Sequence, residues 1–502
     1  EEAHSNNLMT LHYAPNATTQ DLLAAATQWA GPYNEDTHKG HFANSPEPQR
    51  RLRIGYVSAD FSSHPVGFYL SQILPFHNAG SVEVFCYSNS QKSDGVTETL
   101  RASVSLWRDI SGLSDADMVA QIKQDGIDIL VDLSGHTAGN RLSVFAERPA
   151  PVQITWMGYT GTTGLTSIDY ILADRFVVPE NEKELFSESV KYLPGSYLCF
   201  APPDFELACV APPLKQSGHV TFGSFNNRIK ITAETIAAWS RILTDVAGSQ
   251  LLLKTPLLDD QSVRRSLLEQ FAAHGIDAGR LILEGRAPRA DLLKAYQRVD
   301  IALDTQPFGG GVTTAEALWM GVPVITLSSP RWSGRLGETI LNAVGLPELI
   351  ARDGGHYHDL AVSLANDLPR LEQMHENLRA KMQASPFCDG PTFASKLEQA
   401  YREIWTHWCG DAEPAAAIDV TETYAIAIDH HQNGRTVEAA EAYRKILEID
   451  GNHIASLHNL GVIVSGDGDH QQAVDLFKKA IALNPGYARA YDSMGMALFK
   501  MA

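Results

Sequence analysis

The chain has 502 residues, 44% apolar and 20% charged, a balance usual for folded soluble proteins and too apolar for general disorder; at roughly 150 residues per domain it holds about three domains. Its 40 Lys and Arg against 59 Asp and Glu leave a net charge of −19, which disfavours a long polyanion such as nucleic acid as main partner. Five cysteines, odd in number, widely spaced and never in C-x-x-C, point away from a disulfide framework or a zinc module, and the expected compartment is the reducing cytoplasm.

The first residues, EEAHSNN, are acidic and polar rather than a basic signal region, and no run approaches the roughly 20 apolar residues of a membrane span. They fit the register of ARAYDSM at 488–494, with Ala3 on Ala490, so residues 1–49 are expected to be a helical segment whose start resembles a repeat helix. Asn16-Ala17-Thr18 matches a glycosylation sequon, which matters only in a secreted protein.

From residue 50 the pattern changes to short β-rich runs separated by helical stretches: RLRIGYVSAD (51–60), VEVFCYS (82–88), IDILVDLSG (127–135), PVQITWMG (151–158) and YILAD (170–174). Alternating β and α predicts a doubly wound parallel sheet, here a first lobe at 50–210. Ligands of such sheets collect in loops after strand ends, where this lobe carries His64 before Pro65 and His136 in DLSGHTAGNR (132–141). Either histidine suits hydrogen bonding or proton transfer, although loop histidines are often only solvated. Gly158, Gly161 and Gly164 form half of a dinucleotide fingerprint but lack G-x-G, which argues against a dehydrogenase.

The Pro-containing stretch at 201–217 joins this lobe to a second, at 211–410, with strands expected at HVTFGSFN (219–226), SQLLLKT (249–255), LILEG (281–285), DIALDT (300–305) and VPVITL (322–327). After its first strand come Asn226, Asn227, Arg228 and Lys230, and a lysine there can place a point charge on a diphosphate. The strongest motif is DTQPFGGGVTTAEALWMGVPVITL (304–327), in which glycines 309–311 and Thr313 and Thr314 precede an amphipathic helix. Glycines let a backbone approach a phosphate, and the helix start offers N–H groups and partial positive charge. The bland reading is a capping box between Thr313 and Glu316; the two readings are compatible. Residues 358–408 read as helices closing this lobe.

At the C-terminus GRTVEAAEAYRKILEIDGNHIASLHNLG (434–461) recurs as GDHQQAVDLFKKAIALNPGYARAYDSMG (468–495), a shift of 34 residues, which is the tetratricopeptide period. Residues 418–502 are therefore expected to be all-α repeats, and the matching register of the first residues suggests one array with them. Asp467-Gly468-Asp469 lies in the turn of a repeat hairpin and reads as a turn rather than a metal loop.

Together, IGYVSADFSSHP, DGIDILVDLSGHTAGNR, RPAPVQITWMGYTGTTG, FGSFNNRIKIT and LDTQPFGGGVTTAEALWMGVPV resemble the O-GlcNAc transferase and SPINDLY family of glycosyltransferases, over residues 50–408 and beside tetratricopeptide repeats, as that family has them. The resemblance implies a GT-B fold of two Rossmann-like lobes with the nucleotide diphosphate sugar in the C-terminal lobe, no metal or other cofactor, and repeats that guide protein acceptors. It implies that Lys230 contacts the donor diphosphate with Asn227 beside it, that Gly310, Gly311, Thr313 and Thr314 form the phosphate-binding turn, that Glu316 binds the ribose and that Arg289 lies near the base. His64 matches the histidine between donor and acceptor, with His136 in the adjacent loop, and both join Lys230 as catalytic candidates. Three departures stand out: Leu292 where many members have histidine, Gly309-Gly310 for an Asn-Gly pair, and Gly158-Tyr159-Thr160-Gly161-Thr162 for GYPGT. The repeats also follow the lobes instead of preceding them.

These observations lead to an inverting transferase that moves a sugar, GlcNAc from UDP-GlcNAc, to Ser or Thr of intracellular proteins, with neither nucleic acid nor membrane as partner. Transfer of fucose from GDP-fucose, a non-catalytic repeat scaffold and a sugar-nucleotide epimerase are the alternatives.

Overall fold

The computed structural model describes residues 2–34, 42–411 and 420–501. Two compact units emerge, residues 1–409 and 410–502.

The first unit contains two parallel sheets. β1 (Leu52–Ser58), β2 (Val82–Ser88), β3 (Leu106–Asp109), β4 (Ile129–Asp132), β5 (Val152–Thr155), β6 (Tyr170–Ala173) and β7 (Ser189–Tyr192) lie in the order 3-2-1-4-5-6-7. β8 (Thr221–Ser224), β9 (Gln250–Lys254), β10 (Leu281–Glu284), β11 (Ile301–Leu303), β12 (Val324–Leu327) and β13 (Ile350–Ala351) follow in the order 10-9-8-11-12-13. The central strands β4, β5 and β8 are buried along their whole length, as covered parallel strands are, and the polar Gln153 and Thr155 of β5 find partners inside, Phe145 O at 2.7 Å and Asp132 Oδ2 at 2.8 Å. In each sheet the strand order reverses once, between β1 and β4 and between β8 and β11, leaving a crevice at the carboxyl ends of those strands. Both lobes are thus doubly wound, as the alternation of β and α implies.

Three strands, β3, β7 and β13, were not expected from the sequence. Each lies at a sheet edge, and β3 and β7 bury none of their residues fully, so their solvent face dilutes the apolar signal.

The helices expected at 358–408 form, but not all on the second lobe. Gly354–Ala365 joins it through Tyr357, whose hydroxyl donates to the Asp304 carbonyl at 2.9 Å, and Leu368–Gln383 through Arg379, whose Nε donates to Trp319 O at 2.6 Å. Gly390–Asp411 instead crosses back to the first lobe, where Tyr401 and Tyr56 share a hydroxyl contact of 3.1 Å and Glu398 meets His77 Nδ1 at 2.9 Å.

Two N-terminal helices, Glu2–Tyr13 and Thr19–Asn34, belong to this same unit. The second lies against Gly164, whose φ is +82° and where a Cβ would come within 2.3 Å of the Ala26 carbonyl, so only glycine admits the helix. The first helix has the register of a repeat; its described contacts are with the second helix and, as detailed below, with both lobes.

In the second unit, Val420–Gln432, Thr436–Ile449, Ile454–Gly466, His470–Leu483 and Ala488–Met501 recur at the period read from sequence. Ala439, Ala473, Tyr443 and Phe477 are buried, and a Cβ on Gly461 would lie 2.6 Å from the Phe477 ring, which accounts for the small residue at that crossing. Gly468 has a φ of +98° and Asp469 caps the next helix by accepting from Gln472 N at 3.0 Å, so that segment is a turn. No helix among the described residues is long and apolar enough to cross a membrane.

Candidate active site

At the second sheet's crevice the organising group is Asp304, buried just beyond β11. Its Oδ1 accepts from Asn226 Nδ2 at 3.0 Å, Thr305 N at 2.8 Å and Gly310 N at 2.7 Å, and its Oδ2 accepts from Thr326 Oγ1 at 2.7 Å. Asn226 passes the network on by accepting from Thr313 Oγ1 at 2.8 Å. One carboxylate therefore ties the end of β8 to the glycine loop and to the start of the helix Val312–Trp319. Gly310 sits where a Cβ would lie 2.5 Å from Thr313 Oγ1 and 2.8 Å from Thr314 Oγ1, so the turn excludes any side chain.

The capping box weighed for Thr313 and Glu316 is absent. The N-cap residue is Gly311, with no side-chain cap, and Thr313 instead donates to Asn226 while Thr314 Oγ1 donates to Gly310 O at 3.0 Å. With no side chain covering them, the first-turn N–H groups and the positive end of the helix dipole are left to an anion.

Lys230 comes from the short turn after β8. Its Nζ donates to Gly309 O at 2.7 Å and lies 3.9 Å over the centre of the Phe308 ring. Burial lowers its pKa to about 8, opposed by the nearby Asp304 carboxylate. Asn227, the amide expected beside the diphosphate, is exposed and caps the turn by accepting from Ile229 N at 3.2 Å, while its neighbour Asn226 faces inward to Asp304.

Glu316 is buried one turn into the helix, and burial lifts its carboxyl to about 7 against the pull of Arg289, whose Nη2 lies 3.4 Å away. Arg289 also covers the Phe68 ring of the first lobe at 3.5 Å. Leu292 is half-buried and packs against the core, offering a nucleobase no hydrogen bond.

The first lobe supplies the other wall. His64 caps the helix Pro65–Ser71: its Nδ1 accepts from Val66 N at 3.4 Å and lies 3.7 Å from Asp60 Oδ2. Partial burial holds its pKa below the usual value, opposed by Asp60. The same helix carries Phe68 and Tyr69 to Arg289 and Gly311, so His64 and the second-lobe residues share one cleft.

His136, expected to be catalytic, has a different place. It is buried; its Nε2 donates to Thr163 O at 2.9 Å, its Nδ1 accepts from Ser5 Oγ at 3.2 Å, and Trp29 stands edge-on at 4.7 Å. Burial lowers its pKa to about 4, and with both nitrogens used it anchors the N-terminal helices rather than presenting a nitrogen to the cleft. The glycines of that region are structural too. A Cβ on Gly158 would fall 1.8 Å from Leu133 O, and the loop is held by buried Glu188, which accepts from Thr162 Oγ1 at 2.7 Å and Thr163 N at 2.8 Å.

His12 stands in no motif and could not be singled out from residue types. It is buried between the lobes, edge-on to Tyr159 at 4.9 Å and 6.1 Å from Phe308, with both ring nitrogens unpartnered and its pKa lowered by burial to about 3. Tyr13 stacks on Phe308 at 5.2 Å and Arg331 Nη1 donates to Leu11 O at 3.2 Å, so the first helix reaches the ring on which Lys230 rests.

Residues 35–201 and 214–397 match the profile described as glycosyl transferase family 41, and residues 419–486 match a tetratricopeptide repeat profile. A tomato (Solanum lycopersicum) protein named probable UDP-N-acetylglucosamine-peptide N-acetylglucosaminyltransferase SPINDLY is 38% identical over 420 residues, 82% of this chain and 45% of that protein. An Arabidopsis thaliana protein of the same enzyme name, SEC, is 32% identical over 376 residues, 73% of this chain and 38% of that one. The chain thus spans about half the length of the curated relatives it matches, or less. Among solved structures, a Thermobaculum terrenum O-GlcNAc transferase mutant superposes with a TM-score of 0.78 at 38% identity, covering 82% of this chain and 78% of that one.

Proposed function

The chain belongs to glycosyltransferase family 41, and on that premise we propose that it transfers a sugar, GlcNAc from UDP-GlcNAc, to hydroxyl groups of Ser or Thr in proteins, with inversion at the anomeric carbon. The observation that carries this reading is the convergence of Lys230, Gly310 and the uncapped start of Val312–Trp319 at one strand-order reversal, a cradle of positive charge for a diphosphate. The names of the relatives support the donor and the peptide acceptor.

In this reading the acceptor oxygen attacks the anomeric carbon as the bond from that carbon to the phosphate oxygen breaks, and the diphosphate leaves with the electron pair. Lys230 and the helix start balance the charge that develops on it, without a metal ion. Glu316 accepts from the ribose, Arg289 flanks the base and Thr313 and Thr314 line the turn. His64 takes the hydroxyl proton on Nε2 in the tautomer that gives up the 3.4 Å contact from Val66 N and turns an Nδ1 proton toward Asp60 Oδ2. The tetratricopeptide unit holds the acceptor polypeptide.

Lys230→Ala tests the reading: turnover should fall by about 10²–10³-fold while the unfolding temperature stays close to that of the unsubstituted protein. Near-normal turnover would remove Lys230, and the donor cradle with it. A second reading, fucose from GDP-fucose, is favoured by Leu292, which leaves the base without the histidine that many members have there. Competition between the two donors separates the readings.

A further inference from the structure

A buried hydroxyl that the proposed mechanism does not use stands at the centre of the cleft. Tyr69 lies in the first-lobe helix Pro65–Ser71 and is only 5% exposed, and its hydroxyl has no hydrogen-bond partner. Leaving such a group unpaired costs about 1–3 kcal/mol, and folded proteins keep few of them. This hydroxyl is aimed across the cleft, 3.6 Å from where a Cβ would stand on Gly311, the N-cap of Val312–Trp319. With no side chain at Gly311 the two elements meet closely, and the hydroxyl is shut off from solvent between them. Two unsatisfied features of opposite lobes therefore face each other, an O–H donor from the first and uncapped N–H donors from the second. Both can donate to an anion placed between them, and no hydrogen bond joins them to each other.

We propose that Tyr69 is a donor-binding residue whose hydroxyl donates to a non-bridging oxygen of the nucleotide diphosphate, so that the anion is held from both lobes at once. The inference rests on the donor reading above and adds to it a first-lobe ligand. The neighbouring residue fits this role. Phe68 stacks under Arg289, so the same short helix meets the nucleotide end of the site and the phosphate end. Burial, with the Glu316 carboxylate nearby, raises the phenol pKa well above the usual value, so the group remains a proton donor at every working pH. Donor entry parts the lobes enough to admit the phosphate, and the Tyr69 contact draws them back.

The test is Tyr69→Phe, which removes one oxygen and keeps the ring. Melting temperature is measured without ligand, and affinities for UDP and GDP are compared with those for uridine and guanosine by calorimetry. Because the hydroxyl has no partner in the free protein, the variant should melt at the same temperature or higher. Its affinity for the preferred diphosphate should fall about 10–100-fold, as expected for a lost hydrogen bond to a charged acceptor, with the matching nucleoside unchanged. Unchanged diphosphate affinity in a folded variant would overturn this inference alone. Equal losses for diphosphate and nucleoside would also overturn it, by placing the hydroxyl on the nucleoside. If the unsubstituted protein binds neither diphosphate, the donor reading fails and this inference fails with it.

Discussion

Single residues divide the work at the cleft by their surroundings. Lys230 and Glu316 are of opposite charge type, and burial pushes both toward neutrality, to about 8 and about 7. For Glu316 this fixes the sign of two effects. Its folded pKa lies above that of an exposed carboxyl, so its contribution to stability is present at low pH and is lost as pH rises through about 7. As a hydrogen-bond acceptor for the ribose it is stronger when ionised, so nucleotide affinity should rise through the same range. Glu316→Gln should flatten that pH dependence of UDP affinity and raise ligand-free stability above pH 7 by up to about 3 kcal/mol, read by calorimetry and denaturant melts. A variant that keeps the unsubstituted protein's pH profile would separate Glu316 from the ribose.

Much of this was legible in residue types, because a lysine after a strand, three glycines and two threonines before a helix have few uses. Which of two adjacent amides turns inward was not legible. The alternation of a strand stops at its end, and only the Asp304 carboxylate decides for Asn226 over Asn227. His136 misled for a related reason: a loop histidine in a glycine-flanked segment reads as available, and nothing local shows that Ser5, 131 positions away, occupies its Nδ1.

At the level of elements, the glycine loop is a fitted part. Gly310→Ala would set a methyl group 2.5 Å from Thr313 Oγ1 and 3.0 Å from Asn226 Oδ1. Unfolding should cost roughly 1–3 kcal/mol less than in the unsubstituted protein, as overpacking implies, and the stabilisation by nucleotide should disappear. Retained stabilisation by nucleotide would show that the diphosphate does not use this turn. The central strands were legible because burial on both faces leaves them rich in apolar and β-branched residues, whereas β3, β7 and β13 were not, each being half-exposed at an edge or only two residues long. The helix Gly390–Asp411 was foreseen as a helix but not its return to the first lobe, since the partners that hold it there, Tyr56 and His77, come from the other end of the chain. Glu2–Tyr13 was read as a repeat helix from its register. That register describes how its face is built, while Tyr159, Phe308 and His136 determine what the face meets.

For the whole molecule, the proposed donor cleft lies between the two lobes of the first unit and the second unit carries the repeats, so nucleotide should act on the first unit's unfolding and leave that of the repeats alone. The central claim is that the cleft between these lobes holds a nucleotide diphosphate sugar through Lys230 and the glycine turn. The most direct measurement is a thermal titration of the unsubstituted protein and Lys230→Ala with UDP, UDP-GlcNAc, GDP and GDP-fucose. A ligand that binds only the folded state at 100 times its Kd adds about 2.7 kcal/mol of stability. The account predicts a rise in melting temperature with the uridine ligands that Lys230→Ala weakens. A preference for guanosine ligands would exchange the donor for GDP-fucose and keep the site, whereas no shift with any of the four at millimolar concentration would contradict the account.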